Sequence, residues 1–131
     1  MALDTITQVW DDKFVGEMNT PNGTIKIGDA EDGMYPYHMF FGAIGSCFYS
    51  TFLSIAQKKR LSFEKATLEV SGYKETGKEN NLIEQITMKL KIIGPSNEKG
   101  LMKSAELGTK FCSIHELLSK ATNIDLIVDF E

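Results

Sequence analysis

Between Tyr35 and Ala56 the chain contains no Asp, Glu, Lys or Arg. Wound as a helix, this stretch is apolar or small on every side, and a helix without a polar face is either buried in a core or sits in a membrane. It opens with Pro36, which suits a first-turn position because its missing N–H would be unpaired there anyway. It runs on to Lys58-Lys59-Arg60, cations that complement the C-terminal end of a helix dipole. The pattern predicts one helix from about Pro36 to Arg60. Length alone would suit a membrane span. Gly42, Gly45, Ser46, Ser50, Thr51, Ser54 and His38, together with strand-like flanks, favour a buried central helix. Near its middle stands one thiol, Cys47, between small and aromatic neighbours.

The chain around this helix has 131 residues, enough for one core, and reads as a single domain, 1–131. The net charge of -4 and the lack of a basic cluster beyond Lys58-Lys59-Arg60 argue against a nucleic-acid partner. Arg60 is the only arginine among the 14 basic residues. The segment from Met1 to Asp12 has neither the basic start nor the apolar run of a secretory signal, so a cytoplasmic protein is expected. Cys47 and Cys112 are the two cysteines, with no C-x-x-C and no Cys/His cluster, so no metal site and no cofactor are expected. Two such thiols in a reducing compartment are either buried and inert or catalytic.

Taken in order, Ile6 to Trp10 and Phe14 to Met18 read as strands joined around Asp11-Asp12. Asn22-Gly23 reads as a tight hairpin, since both residues tolerate positive φ. Ile25 and Ile27 flank Lys26 on the next strand, and Asp29 to Gly33 forms a polar loop. After the helix, Phe63 to Tyr73 alternates, with Ala66, Leu68 and Val70 on one face. Thr76 to Asn81 reads as a turn. The next strand turns Ile86, Met88, Leu90 and Ile92 inward. One wet face per strand is how antiparallel sheets look when a helix covers the other side. Gly94-Pro95-Ser96-Asn97 breaks the strand and offers caps to a second helix. In that helix Leu107, Phe111, Ile114, Leu118 and Ala121 form an apolar stripe. A neighbouring row, Leu101, Ala105, Gly108, Cys112 and His115, has small members that would let another backbone approach closely. A last strand carries Ile124, Leu126, Val128 and Phe130 inward. The fold class is α+β, with strands and helices segregated.

These residues resemble the OsmC/Ohr family, whose members reduce organic hydroperoxides with two cysteines. The resemblance rests on Pro36 eleven residues before Cys47 in a small-residue apolar helix, and on the aromatic and hydroxyl run after Cys47. It rests also on Cys112, 65 positions on in a C-terminal helix, and on the element order over essentially the whole length. It implies an intertwined homodimer, with antiparallel sheets from both chains wrapped around two long central helices. It implies Cys47 as the peroxidatic nucleophile and Cys112 as the resolving thiol, restored by an external dithiol. Phe40, Phe41, Phe48 and Phe52 would line a pocket for bulky organic peroxides.

The chain departs from the family's pattern where the thiolate is activated. Peroxidase members carry a Glu directly after the Pro, paired with an Arg from the N-terminal strands. Here Tyr37 takes that position, and no Arg precedes Arg60. Arg60 lies thirteen residues beyond Cys47, roughly 20 Å along its own helix. Lys13 and Lys26 are the candidate replacement cations. Tyr37, His38 and His115 are the candidate supporting groups near the thiols, His115 either as a proton relay or as a hydrogen-bonded interface residue. A second reading keeps the fold and the thiols without efficient peroxidase activity, the protein then binding a small apolar ligand or acting as a stress-related scaffold.

Overall fold

A computed structural model describes residues 1–74 and 82–131. The turn expected over Thr76 to Asn81 lies outside the described residues. The chain forms two compact units, Met1–Phe40 and Phe41–Glu131.

The N-terminal unit holds an antiparallel meander of β1 (Thr7–Trp10), β2 (Val15–Thr20) and β3 (Gly23–Gly28). Its second hairpin turns one residue earlier than the Asn22-Gly23 pair suggests. Thr20 and Gly23 are paired, so Pro21 and Asn22 are the central residues. Pro21 presets the backbone for the first central position, so Asn22 needs no positive φ. Thr20 reinforces the turn: its Oγ1 donates to the Gly23 carbonyl at 2.9 Å and accepts from the Asn22 N–H at 3.1 Å. After a loop comes the start of α1 (Pro36–Lys58).

The remainder of α1 belongs to the second unit, with β4 (Lys65–Lys74), β5 (Ile83–Ile93), α2 (Glu98–Phe111), α3 (Ser113–Ser119) and β6 (Asn123–Phe130). As the alternation predicts, Ile86, Met88, Leu90 and Ile92 are buried, while Lys89 and Lys91 are exposed. Antiparallel pairing holds for β4 with β5, but β6 runs parallel to β5. Parallel neighbours need a long crossover, and α2 with α3 supply it.

Within the second unit α1 buries one stripe, Ile44, Gly45, Phe48, Phe52 and Ala56. A Cβ on Gly45 would meet Val70 and Leu68 of β4 at 3.1 and 3.3 Å, so the helix lies close on the sheet. Although α1 is long and apolar enough to cross a membrane by length and composition, this stripe is a core face. The helix ends as its basic triplet suggests. Arg60 takes φ +59, and the Leu61 N–H returns to the Ala56 carbonyl at 2.9 Å, closing the last turn.

The second helix differs from the sequence reading in two respects. It is capped as expected, with the Asn97 side chain accepting from the Gly100 N–H at 2.9 Å. But it is not continuous: Cys112, at φ -82 and ψ 117, is extended backbone that ends α2 and opens α3. Nor is the larger apolar stripe fully buried: Phe111 is 64% exposed and Ala121 is exposed, while Leu107, Ile114 and Leu118 are half-buried. The row of small residues is buried in its place, namely Leu101, Ser104, Ala105 and Gly108. Small side chains let α2 approach α1 closely at Gly108, and the larger stripe is only partly covered.

Candidate thiol site

Cys47 lies near the middle of α1, one position before buried Phe48, and is itself half-buried. Cys112 is buried at the break between α2 and α3. Gly108, one turn before Cys112, explains how the two meet. A Cβ there would stand 3.1 Å from the Phe52 Cβ and 3.2 Å from a Phe48 ring carbon. With that contact fixed, the Cys112 thiol donates to the Cys47 sulfur across 2.8 Å, although 65 positions separate them.

The break at Cys112 gives its sulfur a second task. As N-cap of α3 it accepts from the His115 N–H at 3.4 Å. The contact with His115 is thus through the main chain. The His115 imidazole is held below the ordinary histidine value, chiefly by burial, with Glu116 pulling weakly the other way. Around neutral pH the ring is therefore mostly uncharged.

The two thiols are driven apart in acidity. Partial burial pushes the Cys47 thiol up, but its hydrogen bonds outweigh that. The Cys112 thiol leads that lowering, with the polar groups of Ile114 and Ser113 adding to it, and the net direction is downward. Cys112 is raised, first by burial and then by donating its hydrogen bond to Cys47. Cys47 is the thiol that ionises first.

Of the four phenylalanines expected around a substrate, Phe48 and Phe52 are fully buried, their rings stacked 6.2 Å apart. They fill the core between α1 and α2. Phe41 is half-buried with its ring against Gly72, where a Cβ would come within 2.6 Å of it. Phe40 is half-buried in the N-terminal unit. One open groove in the second unit, of about 440 Å³, begins a turn beyond Cys47 and is lined by Ser50, Thr51, Ser54, Ile55, Lys58 and Phe111.

Tyr37 and His38 lie in the N-terminal unit, both exposed. His38 serves the start of α1: its Nδ1 accepts from the Tyr35 N–H at 3.0 Å, and its ring meets the edge of Tyr35. The Tyr35 phenol donates to Asp29 at 2.6 Å. Lys13 and Lys26 are exposed in the same unit. Among the described residues of the second unit, no cation belongs to the groups that shift Cys47. The residue that sequence reasoning missed is Ser113. A serine one position after a thiol carries no signal until the helix breaks there.

The family model for OsmC-like proteins matches residues 28–127. The chain belongs to the OsmC-like family. Solved structures agree over nearly all of it. A hypothetical protein from Aquifex aeolicus is 26% identical with a TM-score of 0.84, covering 100% of this chain and 99% of its own. An OsmC-like protein from Mycoplasma pneumoniae is 18% identical with a TM-score of 0.86, over 98% and 97% of the two chains. An organic hydroperoxide resistance protein from Elizabethkingia anophelis is 13% identical with a TM-score of 0.78, over 100% and 98%. No curated relative matches the chain. At these identities the last two show the fold.

Proposed function

We propose that this OsmC-like protein reduces organic hydroperoxides through a Cys47/Cys112 thiol–disulfide cycle. The observation that carries this reading is the 2.8 Å contact between the two sulfurs, with Cys47 the more acidic of the pair. The Cys47 thiolate attacks one oxygen of ROOH. The O–O bond breaks, Cys47 becomes a sulfenic acid, and the alkoxide leaves as ROH after taking a proton. The Cys112 sulfur then attacks the sulfenic sulfur, forming a disulfide and releasing water. An external dithiol restores both thiols by exchange and is itself oxidised. A reducing, cytoplasmic compartment suits such a pair. Some structural neighbours are named hydroperoxide resistance proteins, which agrees with the chemistry.

The working form in this reading is a homodimer. Gly42, Ala43, Ser46, Ser50 and Ser54 leave an exposed, uncharged face on α1. The Ser46 hydroxyl there donates back to the Gly42 carbonyl at 2.7 Å, so the face is less polar than its composition suggests. A second copy of the helix is its natural cover.

The test is consumption of an organic hydroperoxide with a dithiol reductant in excess. The parent should turn over and Cys47→Ser should not; equal rates would end the reading.

A further inference from the structure

The Cys112 sulfur holds two positions at once. Its thiol donates to the Cys47 sulfur across 2.8 Å, and the same sulfur caps α3, accepting from the His115 N–H at 3.4 Å. The first N–H groups of a helix have no partner inside it, and a capping side chain satisfies one of them. Little else holds α3 in place. It has seven residues, none of them buried, and Leu117 is 70% exposed. A helix so short is marginal without support from its ends or from packing. Its C-terminal end is closed by main chain, the Ala121 and Thr122 N–H groups both reaching the Leu118 carbonyl at 3.0 Å. At its N-terminal end the Glu116 N–H reaches the Cys112 carbonyl at 2.9 Å, but the side-chain cap is a sulfur that disulfide chemistry would claim.

We propose that oxidation of the sulfur pair withdraws the cap of α3, so that α3 is closed in the dithiol form and loosened in the disulfide form. The inference rests on the thiol–disulfide cycle above and adds to it a change of structure. In forming the S–S bond each sulfur gives up one proton and one electron, and the hydroperoxide takes them, leaving as alcohol and water. Thiol sulfur is already a weak acceptor. Bonded to Cys47 it offers the His115 N–H less electron density and is drawn toward α1, away from α3. Cys112 is buried in the dithiol form, where no outside thiol needs to reach it. Loosening α3 uncovers the disulfide when an external dithiol has to attack it. Re-reduction restores the thiol, the cap and the cover together.

The experiment is amide hydrogen exchange, read by mass spectrometry, on the full-length protein kept reduced or oxidised with diamide. That diazene takes both hydrogens onto its N=N bond, so the oxidation needs no peroxidase activity, and intact mass confirms their loss from the protein. Peptides covering 113–119 should exchange about threefold faster after oxidation, the effect of one weak cap lost. Peptides from α2 should not speed up. Cys112→Ala, with no cap and no second thiol, should exchange fast in α3 even when reduced. Cys112→Ser keeps a capping oxygen and cannot bond to Cys47, so its α3 should stay slow with or without diamide. An oxidised parent with unchanged α3, equal speeding throughout α2, a reduced Cys112→Ala as slow as the parent, or sulfurs that diamide does not join would each overturn the proposal. A protein whose α3 loosens on oxidation but which consumes no hydroperoxide would defeat the peroxidase reading and leave the cap standing. A working peroxidase with an unmoved α3 would do the reverse.

Discussion

Gly108 approaches Phe52 so closely that a Cβ on the glycine would stand 3.1 Å from the phenylalanine Cβ and 3.2 Å from its Cα. The obstacle includes main chain, so it cannot step aside as a flexible side chain would. Alanine in a helix is otherwise favoured over glycine by roughly 1 kcal/mol, and overpacking costs about 1–3 kcal/mol. Gly108→Ala should therefore lower stability by about 1 kcal/mol in urea unfolding, where propensity alone would raise it. Because the same contact sets the distance between the sulfurs, the substitution should also slow Cys47–Cys112 disulfide formation.

The opposite shifts of the two thiols predict an order of reaction with pH. A lower value leaves more thiolate at any pH below it, and a raised value leaves less. Cys47 should therefore label before Cys112 as pH rises through the thiol range. Equal labelling at every pH would contradict the acidity difference.

Removing the second sulfur separates the two halves of the proposed cycle. Cys112→Ser should still consume about one equivalent of hydroperoxide and then stall as a sulfenic acid, trapped by dimedone at Cys47. Sustained turnover at the parent rate with the same dithiol would show that Cys112 resolves nothing.

The cap at Asn97 is a local prediction independent of function. Its side chain satisfies the Gly100 N–H. Asn97→Ala should cost about 1 kcal/mol in stability, read from the same urea transitions.

Tyr35 offers a spectroscopic check on the N-terminal unit. Its phenol is raised above the ordinary tyrosine value by the hydrogen bond to Asp29, then by the Asp29 charge and by burial. Asp29→Asn removes the charge, so one tyrosine should ionise at lower pH in an absorbance titration. An unchanged titration would remove the Tyr35–Asp29 contact from solution.

Much of the fold was legible because the signals are periodic and local. Ile86, Met88, Leu90 and Ile92 alternate, and the structure buries all four. Asn97 stands where a cap should, and Lys58-Lys59-Arg60 closes α1. The interruption at Cys112 was not legible. Leu107, Phe111, Ile114, Leu118 and Ala121 keep a helical spacing straight through it, with no Gly or Pro to mark a stop. At that unmarked stop the Cys112 sulfur both caps α3 and meets the Cys47 sulfur of α1, a contact between positions far apart in the chain. The parallel placement of β6 was hidden for the same reason, because alternation tells which face is inward and not which neighbour is beside it. Ser113 became visible only after the break was known.

The 65-position separation between sulfurs that touch has a topological consequence. Joining them would turn the end of α1, both β4 and β5, and α2 into one covalent ring, leaving β6 and the N-terminal meander as tails. Closing a ring of that length removes about 4 kcal/mol of unfolded-chain freedom on the loop-entropy account. The protein would then melt at different temperatures before and after meeting an oxidant, and its heat resistance would record its recent chemical history.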